Sequence, residues 1–158
     1  MSLKKMAMVG AVAMAMAVHA PAAGAADDTF NGVRVTVDSS KSFEQVVDAL
    51  KSLVAKNGMM VMAEVNQGQM LSMTGLSLKA TLFLVGSPTV GKQLFEQNHA
   101  VGLYVPLRVS VYADANGKTH VEYDRPSSLL GQFKNEQIAM IAKMLDEKLD
   151  GLASMAAK

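Results

Sequence analysis

The chain has 158 residues, half of them hydrophobic, which is enough for one domain with a full hydrophobic core. It contains no cysteine, which excludes disulfides, thiolate nucleophiles and thiolate metal sites. The formal net charge is +1 and no run of Lys and Arg is interleaved with aromatic residues, so the sequence lacks the basic surface of a nucleic-acid-binding protein.

The N-terminal 26 residues have the pattern of a secretory signal peptide. Two lysines precede an uncharged run of Met, Ala and Val, and small residues follow, so cleavage is expected near Ala25 or Ala26. The apolar run is shorter than the roughly 20 residues of a membrane anchor. We therefore expect an exported domain over residues 27–158, without a transmembrane segment in its mature form, and periplasmic if the source is a Gram-negative bacterium.

Strand and helix patterns alternate after this segment. Residues 33–37 alternate Val with Arg and Thr, which is typical of a half-buried strand. Ser42 and Gln45 have the spacing of a capping box, and the helix that follows ends at Asn57-Gly58. Residues 59–65 have the pattern of a second strand, and the Met-containing segment after it has room for one short helical turn.

The second half of the sequence predicts three more strands and two more helices. Residues 78–85 form the most hydrophobic strand, and Ser87-Pro88 then starts a helix. The buried stripe of that helix is predicted to consist of three apolar residues: Val90, Leu94 and Phe95. Residues 104–113 and 119–124 read as a hairpin, and an amphipathic helix follows. The order β-α-β-β-α-β-β-α predicts an α+β two-layer sandwich, with a mixed or antiparallel sheet of about five strands and helices packed on one face.

Strand alternation also predicts how the hairpin pairs. With Gly117 in the left-handed bulge position, Val111 faces Val121 on the core side. The opposite side then holds three cross-strand pairs: Tyr112 with His120, Ser110 with Glu122, and Arg108 with Asp124.

The face of the sheet without helices, called here the open face, is the predicted binding surface. Alternation places apolar side chains among charged ones on this face: Met60, Met62, Phe83, Val85 and Tyr112 beside Arg34, Arg108, His120 and Asp124. A contiguous apolar set on a strand face marks a partner or ligand surface. The candidate binding residues are therefore Arg108, Tyr112, His120, Glu122 and Phe83. A second copy of the chain is the favoured occupant, and a small ligand or an ordinary solvated face are the alternatives.

The sequence assigns no catalytic residue and identifies no cofactor. The segment from Gly86 to Lys92 resembles a phosphate-binding loop, but Gln93 stands where that motif needs a hydroxyl. A hydrolase or lyase would use Glu122 or His120 as its base. If copper binds, the candidate ligands are Met60, Met62 and His120, because thioethers suit Cu(I); packing of the methionines is the simpler interpretation.

Three segments carry a family resemblance: Phe83-Leu84-Val85-Gly86-Ser87-Pro88, Gly102-Leu103-Tyr104-Val105-Pro106-Leu107-Arg108-Val109 and Val121-Glu122-Tyr123-Asp124-Arg125-Pro126. In this order they resemble the bacterial domain of unknown function 302 family. The resemblance implies a compact α+β domain that is often a homodimer, and it brings no established ligand or catalytic residue. The expected function is therefore non-enzymatic: an exported homodimer that binds a small ligand, a metal or a protein partner through the open face.

Overall fold

Five antiparallel strands form one sheet in the spatial order β1-β5-β4-β3-β2. The structure is a computed structural model and describes residues 33–158, so the predicted signal segment lies outside the described residues. The strands are β1 (Arg34–Ser39), β2 (Met60–Asn66), β3 (Ala80–Gly86), β4 (Leu107–Ala113) and β5 (Thr119–Asp124). Every adjacent pair is antiparallel, as the α+β prediction allowed.

Within residues 33–158, five α-helices accompany the sheet: α1 (Phe43–Lys56), α2 (Gln67–Ser72), α3 (Pro88–Gln97), α4 (Pro126–Leu130) and α5 (Glu136–Ala157). Short 3-10 helices cover His99–Leu103 and Gly131–Phe133. The sequence predicted α1, α3, α5 and a turn at α2, whereas α4 is an element that it did not predict.

The helix ends follow the local sequence. The Ser42 hydroxyl accepts a hydrogen bond from the backbone N–H of Gln45, and the Gln45 side chain accepts one from the N–H of Ser42, which confirms the capping box of α1. Gly58 follows α1 with φ +67°, a conformation that glycine adopts without strain. The Asn135 side chain caps α5 by accepting a hydrogen bond from the N–H of Ile138 at 3.0 Å.

The core lies between α1, α5 and one face of the sheet. Helix α1 contributes Val46, Leu50 and Val54, all essentially without solvent exposure. The strands contribute a matching set of buried side chains: Phe83, Val85, Val109, Val111, Val121 and Tyr123. This arrangement confirms the two-layer sandwich with one face of the sheet buried under helices.

The structure corrects the predicted orientation of β3. Phe83 and Val85 are both 0% exposed and face the helices, so the prediction that they lie on the open face is wrong. Both faces of β3 are apolar, and alternation places Lys79 and Thr81 on the same side as Phe83 and Val85. Thr81 is itself buried, and Lys79 precedes the strand and pairs with Glu44 of α1 at 2.6 Å. Alternation alone therefore could not orient a strand that is apolar on both sides.

Strand β2 also differs from its prediction, because it contains a bulge between Val61 and Ala63. Beyond this irregularity Glu64 lies opposite Phe83, on the side of the helices, and pairs with Lys51 of α1 at 2.7 Å. Met60, Met62 and Glu64 therefore do not share one face as regular alternation predicted. A bulge re-aims the side chains around it.

Candidate functional site

The polar half of the open face lies on β1, β5 and β4. Arg34 on β1 lies directly opposite Asp124 on β5, and its Nε donates to the Asp124 carboxylate at 2.9 Å. The predicted partner of Asp124 was Arg108, and this prediction is wrong because β1, rather than β4, supplies the arginine. Arg108 itself is exposed, and its side chain forms no hydrogen bond or ion pair with residues 33–158, although its backbone is part of the β3–β4 ladder.

His120 is the centre of a second polar group on this face. Its Nδ1 lies 2.9 Å from Asp38 and its Nε2 lies 3.3 Å from Asp114, while its ring stacks on Tyr112 at a centroid distance of 5.0 Å. Lys118 also pairs with Asp38. Both ring nitrogens therefore have a carboxylate partner, which fixes the orientation of the imidazole ring.

The neighbouring acidic groups are held in their charged form. Hydrogen bonds from Lys118 and then His120 lower the pKa of Asp38, and the backbone N–H of Lys118 followed by His120 lowers the pKa of Asp114. Burial and then the negative charge of Glu122 raise the pKa of Tyr112, which keeps its hydroxyl protonated. Glu122 also accepts a hydrogen bond from Thr36 at 2.9 Å. These groups satisfy one another, so this half of the open face is a structural ion-pair network.

The ion-pair network should stabilise the folded protein less in acid. A carboxyl group whose pKa is lowered on folding favours the folded state above its ordinary pKa of 3.8, and this contribution is lost as the pH falls through the lowered value. Asp38→Asn should therefore reduce the melting temperature at pH 6 by no more than a few degrees, since exposed ion pairs contribute little. The difference from wild type should shrink below pH 3.8. Thermal unfolding between pH 2 and 7 measures this difference in melting temperature, and Glu147→Gln on the exposed side of α5 serves as the control. A difference between Asp38→Asn and wild type that does not change with pH would contradict a stabilising role of the network.

The predicted copper ligands do not lie together. Met60 and Met62 are on β2 and His120 is on β5, with β3 and β4 between them in the sheet. Within residues 33–158 there is also no group of three or more His, Asp or Glu side chains placed to hold a metal ion. Of the candidate binding residues, Tyr112, His120 and Glu122 lie together, Arg108 lies at the start of β4, and Phe83 is in the core.

A pocket that the sequence did not predict lies where β3 ends and β4 begins. It has a volume of about 240 Å³ and opens beside α3, and we call it the α3 pocket. Helix α3 contributes one wall, made of Val90, Gly91, Leu94 and Phe95. The end of β3 contributes Val85 and Gly86, and the segment that leads into β4 contributes Val105, Pro106 and Leu107. Met62 of β2 and Leu145 of α5 each add one side chain. Ser87 and Pro88 complete it at the start of α3.

Local structure explains how these segments meet. The bulge in β2 brings the Met62 methyl carbon to 3.3 Å from the point where a Cβ on Gly86 would lie. The Phe95 ring lies over Gly102, where a Cβ would be 3.0 Å from the ring edge. The segment that leads into β4 contains a cis peptide bond between Val105 and Pro106. Close packing contacts therefore hold Met62 and Phe95, which lie on two sides of the α3 pocket.

The chemistry of the α3 pocket is almost entirely apolar. Among the described residues that line it, Ser87 alone has a polar side chain, and none carries a titratable group. The lining side chain of Phe95 is 41% exposed, although the periodicity of α3 predicted it as part of a buried stripe. An apolar side chain that remains exposed at the rim of a pocket is typical of a small-molecule site.

The residues from 33 to 158 contain no helix whose length and apolar character would allow it to cross a membrane.

A similar solved structure is that of the uncharacterized conserved protein DUF302 from Bacillus stearothermophilus, with a TM-score of 0.73 and 21% sequence identity. The similarity covers 80% of this chain and 98% of that chain. At this level of identity the similarity shows a shared fold.

Two curated relatives are fluoride-specific ion channels. FluC 1 of Brucella suis biovar 1 (strain 1330) is 29% identical over 96 residues, which are 60% of this chain and 38% of the relative. FluC 2 of Brucella melitensis biotype 1 (strain ATCC 23456 / CCUG 17765 / NCTC 10094 / 16M) is 29% identical over the same length and 36% of its own chain is covered. The chain thus spans little more than a third of the length of these curated relatives.

The family model described as "Domain of unknown function DUF302" matches residues 35–156. This range includes every strand but for the first residue of β1, and all five helices except the last residue of α5. The family resemblance of the three sequence segments is therefore confirmed, and the chain belongs to the DUF302 family.

Proposed function

We propose that this chain is an exported binding domain that holds a small apolar molecule in the α3 pocket. The observation that carries the proposal is a cavity of about 240 Å³ whose lining is apolar except for Ser87. An engineered apolar cavity of about 150 Å³ is sufficient to bind benzene in another protein. The α3 pocket therefore has the volume and the lining for a ligand somewhat larger than one aromatic ring.

Binding without catalysis is the role that the geometry supports. General acid–base or nucleophilic chemistry needs a titratable or activated group within reach of the substrate. No such group is among the described lining residues, and the titratable residues considered for catalysis, His120 and Glu122, are engaged in the ion-pair network on the open face. The export of the domain rests on the signal pattern of the N-terminal residues.

Homodimer formation through the open face remains part of the proposal. The support is the apolar half of this face, where Val65 on β2 lies opposite Leu82 on β3 and Ala63 lies opposite Leu84. These side chains alternate with the buried Phe83 and Val85, so they stand on the face of the sheet opposite to α1 and α5. They lie at the β2 edge of the sheet, beside the ion-pair network on β1, β5 and β4, so this face joins an apolar patch to a polar one, and protein interfaces contain both kinds of surface.

Native mass spectrometry of the protein purified from its own organism tests both parts. The expected spectrum shows a dimer, with a bound mass of roughly 100–200 Da per chain, the size of molecule that a cavity of this volume admits. Solvent extraction and mass analysis would then identify the molecule. A monomer would overturn the dimer, and a protein that carries no molecule and takes up none from an extract of its own cells would overturn the binding role.

The match to ion channels favours a second candidate function, that of a partner of membrane ion transport. At least 64 of the 96 matched residues lie within the described part of the chain, since 32 residues precede it. Deletion of the gene should then increase the sensitivity of the cells to fluoride. Unchanged growth in fluoride would contradict this role.

A further inference from the structure

Gly91 occupies a position in α3 where neither the backbone nor the packing requires glycine. A glycine inside a helix is less favourable than alanine, because glycine loses more backbone freedom when the helix forms. At Gly91 the backbone is helical, and a Cβ would meet no atom within 4 Å. By contrast, a Cβ on the neighbouring pocket residue Gly86 would lie 3.3 Å from Met62 and 3.6 Å from Pro106, so close packing explains that glycine.

Helix geometry directs position 91 into the pocket. Gly91 lies three and four residues before Leu94 and Phe95, so the three positions share one face of α3. Leu94, Phe95 and Gly91 all line the α3 pocket. A side chain at position 91 would therefore occupy pocket volume, and its absence exposes the backbone of α3 along that wall.

We infer that Gly91 determines the size of ligand that the α3 pocket accepts. This inference rests on the proposed binding of a small apolar molecule there. Part of the ligand occupies the space that a side chain at position 91 would fill, in van der Waals contact with the α3 backbone. The ligand class is a compact apolar molecule of about two fused rings, because the pocket exceeds the roughly 150 Å³ that admits one ring.

The test compares Gly91→Ala with Gly151→Ala. Gly151 is also an interior helix glycine where a Cβ would meet nothing within 4 Å, but it lies on α5 and does not line the pocket. Both substitutions should raise the melting temperature by about 3–5 °C, because alanine favours the helix. Naphthalene and toluene serve as probes of two sizes, titrated by calorimetry into the full mature domain.

The two glycines should differ in ligand binding. Gly91→Ala should weaken naphthalene binding about five- to tenfold, through steric conflict with the added methyl group, and weaken toluene binding less. Gly151→Ala should leave both affinities unchanged. Equal naphthalene affinity in the Gly91→Ala protein and the wild type would overturn this inference while leaving the proposed function standing. A wild type that binds neither probe would overturn the proposed function itself, and the inference with it.

Discussion

Replacing Phe83 with alanine should lower the free energy of unfolding by about 3–5 kcal/mol, the range measured when a buried Phe is truncated in a packed core. Phe83 is 0% exposed and belongs to the core cluster between the sheet, α1 and α5. Truncation removes its contacts with that cluster and leaves a cavity that the surrounding strands cannot fill completely. Urea unfolding followed by circular dichroism measures the change.

Leu84→Ala is the matched control for this prediction. Leu84 is the next residue on β3 and is partly exposed on the open face, so its truncation should cost about 1–2 kcal/mol. A larger loss for Leu84→Ala than for Phe83→Ala would contradict the observed orientation of β3 and restore the one expected from alternation.

Val90→Asp should reduce the affinity of the α3 pocket for naphthalene by about 100-fold or more. Val90 lines the pocket, and an apolar ligand would strip water from a carboxylate placed there, at a cost of about 3 kcal/mol or more. The fold should tolerate the substitution, because Val90 is in the first turn of α3 and a negative charge near a helix N-terminus is favourable. Calorimetric titration with naphthalene measures the affinity.

Thr89→Asp provides the same charge in the same helical turn. Thr89 is exposed and does not line the pocket, so naphthalene affinity should remain close to that of the wild type. Circular dichroism of both variants confirms that each is folded. Equal losses of affinity in the two variants would show that the charge acts at a distance, and would contradict binding in the α3 pocket.

Local sequence predicted most of the fold because the relevant interactions join residues close together in the chain. The capping box at Ser42, the left-handed glycines and the start of α3 at Pro88 each depend on a few neighbouring residues. The β4–β5 hairpin belongs to the same group: Val111 pairs with Val121 and Tyr112 pairs with His120, as predicted, with Gly117 at φ +80°. A tight turn fixes the register of the strands that it joins.

The predictions that failed depend on contacts between distant segments. Asp124 binds Arg34 across 90 positions in the sequence, because β1 adds to the edge of the hairpin, and strand alternation does not specify which strand becomes a neighbour. The bulge in β2 likewise appears only when β2 is aligned with β3. The apolar pattern of β3 is compatible with either face, so the packing of α1, marked by the ion pair between Lys79 and Glu44, decides the orientation of Phe83.

The α3 pocket could not be predicted for a related reason. Its walls come from β2, the end of β3, α3, the segment before β4 and α5, and no periodic pattern connects them. Two local signals were present in the sequence: a glycine inside the apolar stripe of α3, and the Tyr-Val-Pro-Leu-Arg segment that follows the 3-10 helix. Both were consistent with ordinary helix and strand geometry, so they did not identify a site. The family resemblance supplied the fold and assigned no ligand to it.

The most decisive experiment is a titration of the ¹⁵N-labelled protein with naphthalene, followed by its amide chemical shifts. We expect saturable shifts concentrated at pocket amides such as those of Gly86, Gly91 and Phe95, with little change on the open face at Leu84 and Tyr112. Shifts concentrated on the open face, or no saturable shifts at all, would contradict the assignment of the binding site to the α3 pocket.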